Sequence, residues 1–92
     1  MIRTFKHRGL KRLYERGDHS QVRSDCLDRI EDILARLDVA VVPSDLDLPG
    51  YGLHPLKGKL KGFWALKVSA NWRIVFRFKD GDAFDVNLVD YH

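Results

Sequence analysis

Two histidines, a closing acid and tyrosine, and a scatter of cations hold most of the chemistry available to this chain. His54 stands in the Gly/Pro-rich stretch "LHPLKGKLKG", beside Lys57, Lys59 and Lys61. His92 closes "VNLVDYH", directly after Asp90 and Tyr91, and Lys67, Asn71 and Arg73 lie in "ALKVSANWRIVFRF". Imidazole, with an unperturbed pKa near 6.5, can take or give a proton at neutral pH. Cutting an RNA backbone through the ribose 2′-OH needs a base for the hydroxyl, an acid for the leaving oxygen, and cations around phosphorus. Unpaired bases are held by stacking on aromatic rings. His54 and His92 supply the proton groups, His92 with Asp90 near it in sequence. Lys57, Lys67 and Arg73, with Asn71 alongside, supply charge and donors, and Tyr91 a ring. Other chemistries fit less well. The four histidines, at 7, 19, 54 and 92, have no close ligand spacing with Cys26, so no metal site is expected. Neither GxxxxGK[ST] nor GxGxxG occurs. Cys26 sits among acids that oppose a thiolate, and reads as inert.

These residues need elements to carry them. A helix is expected from about Lys6 to Arg16, with Leu10, Leu13 and Tyr14 on one face and Gly17 as its stop. Arg8, Arg12 and Arg16 share another face of that helix. Ser24 is placed to cap a second helix, with Leu27, Ile30, Leu34, Leu37 and Val41 at helical spacing and Pro43 beyond. Ile2 to Phe5 reads as a short strand. The stretch from Ser44 to about Lys61 reads as a long connection, a length usually kept for function. Three alternating runs then read as strands around Trp64–Val68, Trp72–Phe78 and Phe84–Leu88.

Parity fixes a register, because a one-residue slip would turn each apolar set to the wrong face. Three-residue loops, Ser69-Ala70-Asn71 and Asp80-Gly81-Asp82, pair Val68 with Trp72, Leu66 with Ile74 and Trp64 with Phe76. They also pair Phe78 with Phe84, Phe76 with Val86 and Ile74 with Leu88. The even-numbered face is then the core and takes the two helices. On the odd-numbered face Arg77 meets Asp85, Lys67 meets Arg73, Val89 meets Arg73 and Asn71 meets Tyr91. Like charges directly across a ladder destabilise. Lys67 against Arg73 therefore suggests a sheet end that receives an anion, the alternative being two long side chains that bend into water.

With 92 residues the chain is expected to form one domain, residues 1–92. Lone Cys26 excludes an internal disulfide, no apolar run spans a bilayer, and the first residues lack a signal peptide's core, so a cytoplasmic protein away from membranes is expected. Net charge is only +3, but it is segregated: residues 1–16, 17–47, 48–79 and 80–92 carry +5, −5, +7 and −4. Such blocks can make one face strongly positive.

"FKHRGLKRLYERG", "LHPLKGKLKGFWALKVSANWRIVFRF" and "VNLVDYH" together resemble the HigB toxins of the RelE/ParE superfamily, nearly end to end. The resemblance implies an α+β fold, a small, mainly antiparallel sheet with two N-terminal helices packed on one face. It implies a ribosome-dependent endoribonuclease that cuts messenger RNA in the decoding site without metal or cofactor. Its partners would be a HigA-like helix-turn-helix antitoxin, the ribosome, and operator DNA through the antitoxin complex alone. The family's active histidines match His54 and His92, its acid and tyrosine match Asp90 and Tyr91, and its basic positions match Lys57 and Arg73 with Asn71. The +5 and +7 blocks would meet the ribosome, through Arg8, Arg12 and Arg16 on the first helix. Two other functions stay open on residues alone: a ParE-like poison of DNA gyrase, which does no acid–base chemistry, and a non-catalytic RNA-binding module.

Overall fold

The computed structural model describes Met1–Asp90. Helix α1 (Arg8–Arg16) begins two residues later than expected because His7 is its N-cap, Nδ1 accepting from the Leu10 amide at 3.1 Å. Gly17, at φ 67°, ends it by returning its amide to the Leu13 carbonyl, while Asp18 reaches Arg12. Helix α2 (Leu27–Val39) is entered through a single 3₁₀ turn, Ser24–Cys26, and the Ser24 side chain forms no cap. Ile30, Ile33, Leu34 and Leu37 face inward. Val41 does not join them: Ala40 is already extended, and Val41 is 59% exposed. With Pro43 following, Val42 is held extended as well, so the helix cannot reach Val41.

Four strands form one antiparallel sheet in sequence order: β1 (His54–Pro55), β2 (Trp64–Lys67), β3 (Trp72–Lys79) and β4 (Asp82–Asp90). The expected long connection is therefore partly built, carrying β1 and 3₁₀ turns at Pro43–Leu46 and Gly58–Leu60. The β2–β3 register is as expected, with Trp64 on Phe76, Leu66 on Ile74 and Lys67 on Arg73. Ile2 and Phe5 add parallel bridges to Ala83 and Val86 on the free side of β4.

The β3–β4 hairpin departs from expectation halfway along. Ile74 pairs with Leu88 and Arg73 with Val89, but beyond the middle Arg77 pairs with Phe84 and Phe78 with Ala83. Two facts cause the shift. The turn is the two-residue Asp80-Gly81, both at positive φ (54° and 82°), the backbone that matches strand twist, so Lys79 pairs with Asp82. The extra residue is absorbed by a bulge, in which Asp85 (φ 55°) and Val86 together stand opposite Phe76. Phe84 consequently leaves the core face, and the Arg77 guanidinium lies 5.1 Å from its ring centroid. Arg77 and Asp85 still pair, Nε to Oδ2 at 2.7 Å, diagonally rather than directly across.

Leu66, Ile74, Phe76 and Val86 pack with Leu10, Leu13, Ile30, Ile33 and Leu37 in one core. Asp38 ties its upper layer: one carboxylate oxygen accepts from Tyr14 Oη at 2.5 Å and the Ile2 amide at 3.0 Å. That bond pushes the Tyr14 phenol up to about 12 and holds Asp38 below the usual carboxylate range.

Candidate active site

The edge strand β1 exists because "HP" can pair for two residues, His54 with Ala65 and Pro55 with Trp64, before Leu56 turns away. Directly paired residues share a face. His54 therefore lies on the face of Ala65, Lys67, Arg73 and Val89, opposite the helices. With strands about 4.8 Å apart and residues about 3.3 Å apart along them, the His54 and Arg73 backbones are separated by about 12 Å, near the reach of one nucleotide with two side chains.

Backbone carbonyls hold the cations here. Arg73 Nη1 donates to the carbonyls of Ser69 at 2.6 Å, Trp72 at 3.0 Å and Ala70 at 3.4 Å, all in or beside the β2–β3 loop that also carries exposed Asn71. Lys67 is exposed across from it. Among the described residues Lys57, Lys59, Lys61 and Lys67 form no ion pair. His54 Nδ1 lies 3.0 Å from the Gly52 carbonyl, a contact that ties the ring to its own loop when Nδ1 is the donor.

Ala65 and Val75, on the face opposite the helices, are buried as well. The Leu56–Leu60 segment folds toward them, leaving a concavity of about 280 Å³ lined by Leu56, Lys57, Leu60, Ala65, Val75 and Val89. An apolar floor with Lys57 at its margin suits a flat base attached to a phosphate. Asp90 pairs with Trp72, so alternation puts it on the opposite face, at the exposed rim where the sheet ends. Tyr91, His92 and the Asn71–Tyr91 pairing lie outside the described residues. Arg8, Arg12 and Arg16 sit apart on α1, lining with Lys11 and Glu15 a second concavity of about 250 Å³.

Sequence reading missed Arg29. From α2 it donates Nε to the Lys67 carbonyl at 3.0 Å and Nη2 to the Gly50 carbonyl at 2.6 Å, with its guanidinium 4.2 Å from the Tyr51 ring centroid. Lys67 in turn donates its amide to the Tyr51 carbonyl at 2.7 Å. Arg29 thus clamps the strand bearing Lys67 to the loop that leads into His54. Its one signal in sequence was being one of only three cations in the acidic block 17–47.

A family model described as the RelE-like toxin HigB of type II toxin–antitoxin systems matches residues 3–92. Endoribonuclease HigB of Proteus vulgaris is 49% identical over 92 residues, covering all of both chains. Toxin HigB-1 of Vibrio cholerae serotype O1 is 32% identical over 90 residues, covering 96% of this chain and 95% of its own. Among solved structures, YafQ from E. coli aligns with a TM-score of 0.56 at 17% identity, over 98% of this chain and 93% of its own. A YoeB/ParE toxin from Agrobacterium tumefaciens aligns with a TM-score of 0.52 at 18% identity, over 100% and 99%. Those two likenesses concern the fold, and it is the expected α+β one. The match along nearly the whole sequence decides the family: this chain belongs to the HigB-like toxins, RelE-like toxins of type II toxin–antitoxin systems.

Proposed function

We propose that this toxin is an endoribonuclease that cuts translated messenger RNA in the ribosomal decoding site, by attack of a ribose 2′-OH on the adjacent phosphate. The observation that carries the reading is the shared face of His54, Lys67 and Arg73 beside the Lys57 concavity, in a chain 49% identical to a protein named an endoribonuclease. One imidazole, of His54 or His92, removes the 2′-OH proton as that oxygen bonds to phosphorus. The other protonates the departing 5′-oxygen, so the products are a 2′,3′-cyclic phosphate and a 5′-hydroxyl. Lys57, Lys67 and Arg73, with Asn71 as a neutral donor, hold the charge that builds on the phosphoryl oxygens. Asp90 orients His92, and Tyr91 stacks on a base. The cognate antitoxin is HigA-like and carries the operator-binding domain.

Primer extension on messenger RNA after a brief pulse of expression tests this directly. Cuts inside translated codons are expected, and intact transcripts with stalled gyrase would overturn it. The α1 face is the expected ribosome contact, because like charges along a helix are relieved by a polyanion. Arg8→Glu with Arg16→Glu should lower ribosome affinity at least about tenfold and flatten its salt dependence, while melting is unchanged.

A further inference from the structure

Three successive carbonyls in the loop before β1 are all engaged, each by a different part of the molecule. The Gly50 carbonyl accepts from Arg29 Nη2 on α2 at 2.6 Å, and that of Tyr51 accepts from the Lys67 amide on β2 at 2.7 Å. The Gly52 carbonyl lies 3.0 Å from His54 Nδ1. The segment is itself held in place. The Tyr51 side chain is buried, its amide donates to the Leu48 carbonyl at 3.1 Å, and the Arg29 guanidinium lies 4.2 Å from its ring centroid. Gly50 and Gly52 flank it at φ 83° and 61°, left-handed backbone in which most side chains are strained. Two residues beyond Gly52, His54 is fixed by pairing with Ala65. The Gly52 carbonyl thus meets the imidazole from a backbone anchored on both sides.

A carbonyl oxygen can only accept, so a hydrogen bond between Gly52 and His54 requires the proton on Nδ1. We propose that Gly52 is a positioning residue: its carbonyl keeps Nδ1 of His54 protonated and makes Nε2 the nitrogen that exchanges a proton with RNA. As a base, Nε2 takes the 2′-OH proton while that oxygen's electron pair bonds to phosphorus, leaving an imidazolium. As an acid, Nε2–H passes its proton to the departing 5′-oxygen as the P–O bond breaks, leaving the neutral ring. Nδ1–H stays on the carbonyl in both. The catalytic consequence rests on the nuclease reading, whereas the tautomer is a property of the toxin alone. His7 supplies the opposite case within the same chain. Its Nδ1 accepts from the Leu10 amide at 3.1 Å, so its neutral ring carries the proton on Nε2.

The test is long-range proton–nitrogen NMR on the full-length toxin with isotope-labelled histidine, at about pH 9, where imidazole is neutral. His54→Gln and His7→Asn identify the two rings. In one spectrum His54 should be protonated on Nδ1 and His7 on Nε2. Gly52→Ala, which strains the left-handed backbone, should move His54 toward the Nε2–H form. It should also lower the saturating single-turnover rate on ribosome-bound messenger RNA about tenfold, with the half-saturating concentration unchanged. Gly52→Asn, whose side chain tolerates that backbone, should restore both. A merely structural glycine would cost Gly52→Ala stability while the tautomer and the saturating rate held, and that result overturns the proposal. So does a wild-type His54 protonated on Nε2, an outcome that leaves the nuclease reading to primer extension. The wild-type spectrum decides even where Gly52→Ala folds poorly.

Discussion

At the turn end of the sheet, acids meet cations directly. Asp82 receives Arg3 Nε at 2.9 Å and the N-terminal amine at 3.3 Å, and Asp85 receives Arg77 at 2.7 Å. At the other end Lys67 stands directly across from Arg73, and the guanidiniums of Arg73 and Arg29 are fixed on backbone carbonyls. A carboxylate cancels a cation's charge, whereas the carbonyls around Arg29 fix its position and leave its charge in place. The turn end is thus organised to hold the hairpin, while the other end gathers the cations assigned to the proposed active site. Breaking the first should change stability without touching chemistry, and breaking the second should do the reverse.

The sharpest contrast should come from His54→Ala. Loss of a proton-transfer group typically lowers rate 10²–10⁴-fold. His54 is partly exposed at a two-residue edge strand, so melting should shift by no more than about 2 °C for a change well under 1 kcal/mol. His92→Ala should match it in rate and in intact melting. Single-turnover cleavage of ribosome-bound messenger RNA, with thermal melting beside it, checks both. A wild-type rate in either folded variant removes that histidine from the mechanism.

Arg29 should blur the division, since it joins core to site. Arg29→Ala loses two charged hydrogen bonds to carbonyls, for roughly 2 kcal/mol of stability. Freed from the clamp, the loop from Gly50 to His54 should also lose precision, lowering cleavage about tenfold at temperatures where the variant is fully folded. Arg29→Lys keeps charge but lacks the planar fork that serves Lys67, Gly50 and the Tyr51 ring together, and should recover only part of both. Full cleavage in folded Arg29→Ala would make the clamp purely structural.

At the turn end the prediction is stability alone. Asp85 occupies left-handed backbone at φ 55°. Asp85→Val should lose about 2 kcal/mol, because a β-branched residue fits that conformation poorly and the Arg77 pair is gone. Asp85→Gly should fall within about 0.5 kcal/mol of wild type, relief of backbone strain offsetting the lost pair. Both should cleave RNA at wild-type rates, and denaturant melts with matched rate measurements would show it.

What could be read in advance divides along the same line. Parity fixed Lys67 against Arg73 and Ile74 against Leu88, because those strands are uninterrupted and one face is buried. Parity failed past Phe76, where an aspartate in left-handed backbone absorbs a residue without any glycine to announce it. The two-residue turn did have a signal, the Asp-Gly pair, but matching even-numbered with even-numbered residues calls for a three-residue loop instead. Burial of Ala65 and Val75 on the outer face depends on how the Gly58–Leu60 turn folds back, a tertiary contact with no periodicity of its own. The same holds for Arg29, whose acceptors are 21 and 38 residues away and are main-chain atoms, which carry no side-chain signature.

The smallest expected effect is a pH dependence that belongs to neither end of the sheet. His7 caps α1 through an unprotonated Nδ1, and burial holds its pKa below the ordinary 6.5. Between the folded value and 6.5 the unfolded chain binds more protons, so stability must fall as pH drops through that window and be fully present above it. The loss is bounded by the worth of an N-cap, about 1 kcal/mol. Asp38 and Asp82, also held below their usual values, respond only nearer pH 4 and leave the window between about 5 and 6.5 to the imidazole. His7→Asn keeps a capping acceptor but cannot titrate, so its melting temperature should be flat across that window while the wild type declines by a few degrees. Parallel declines in both proteins would mean that the cap is not the group being titrated.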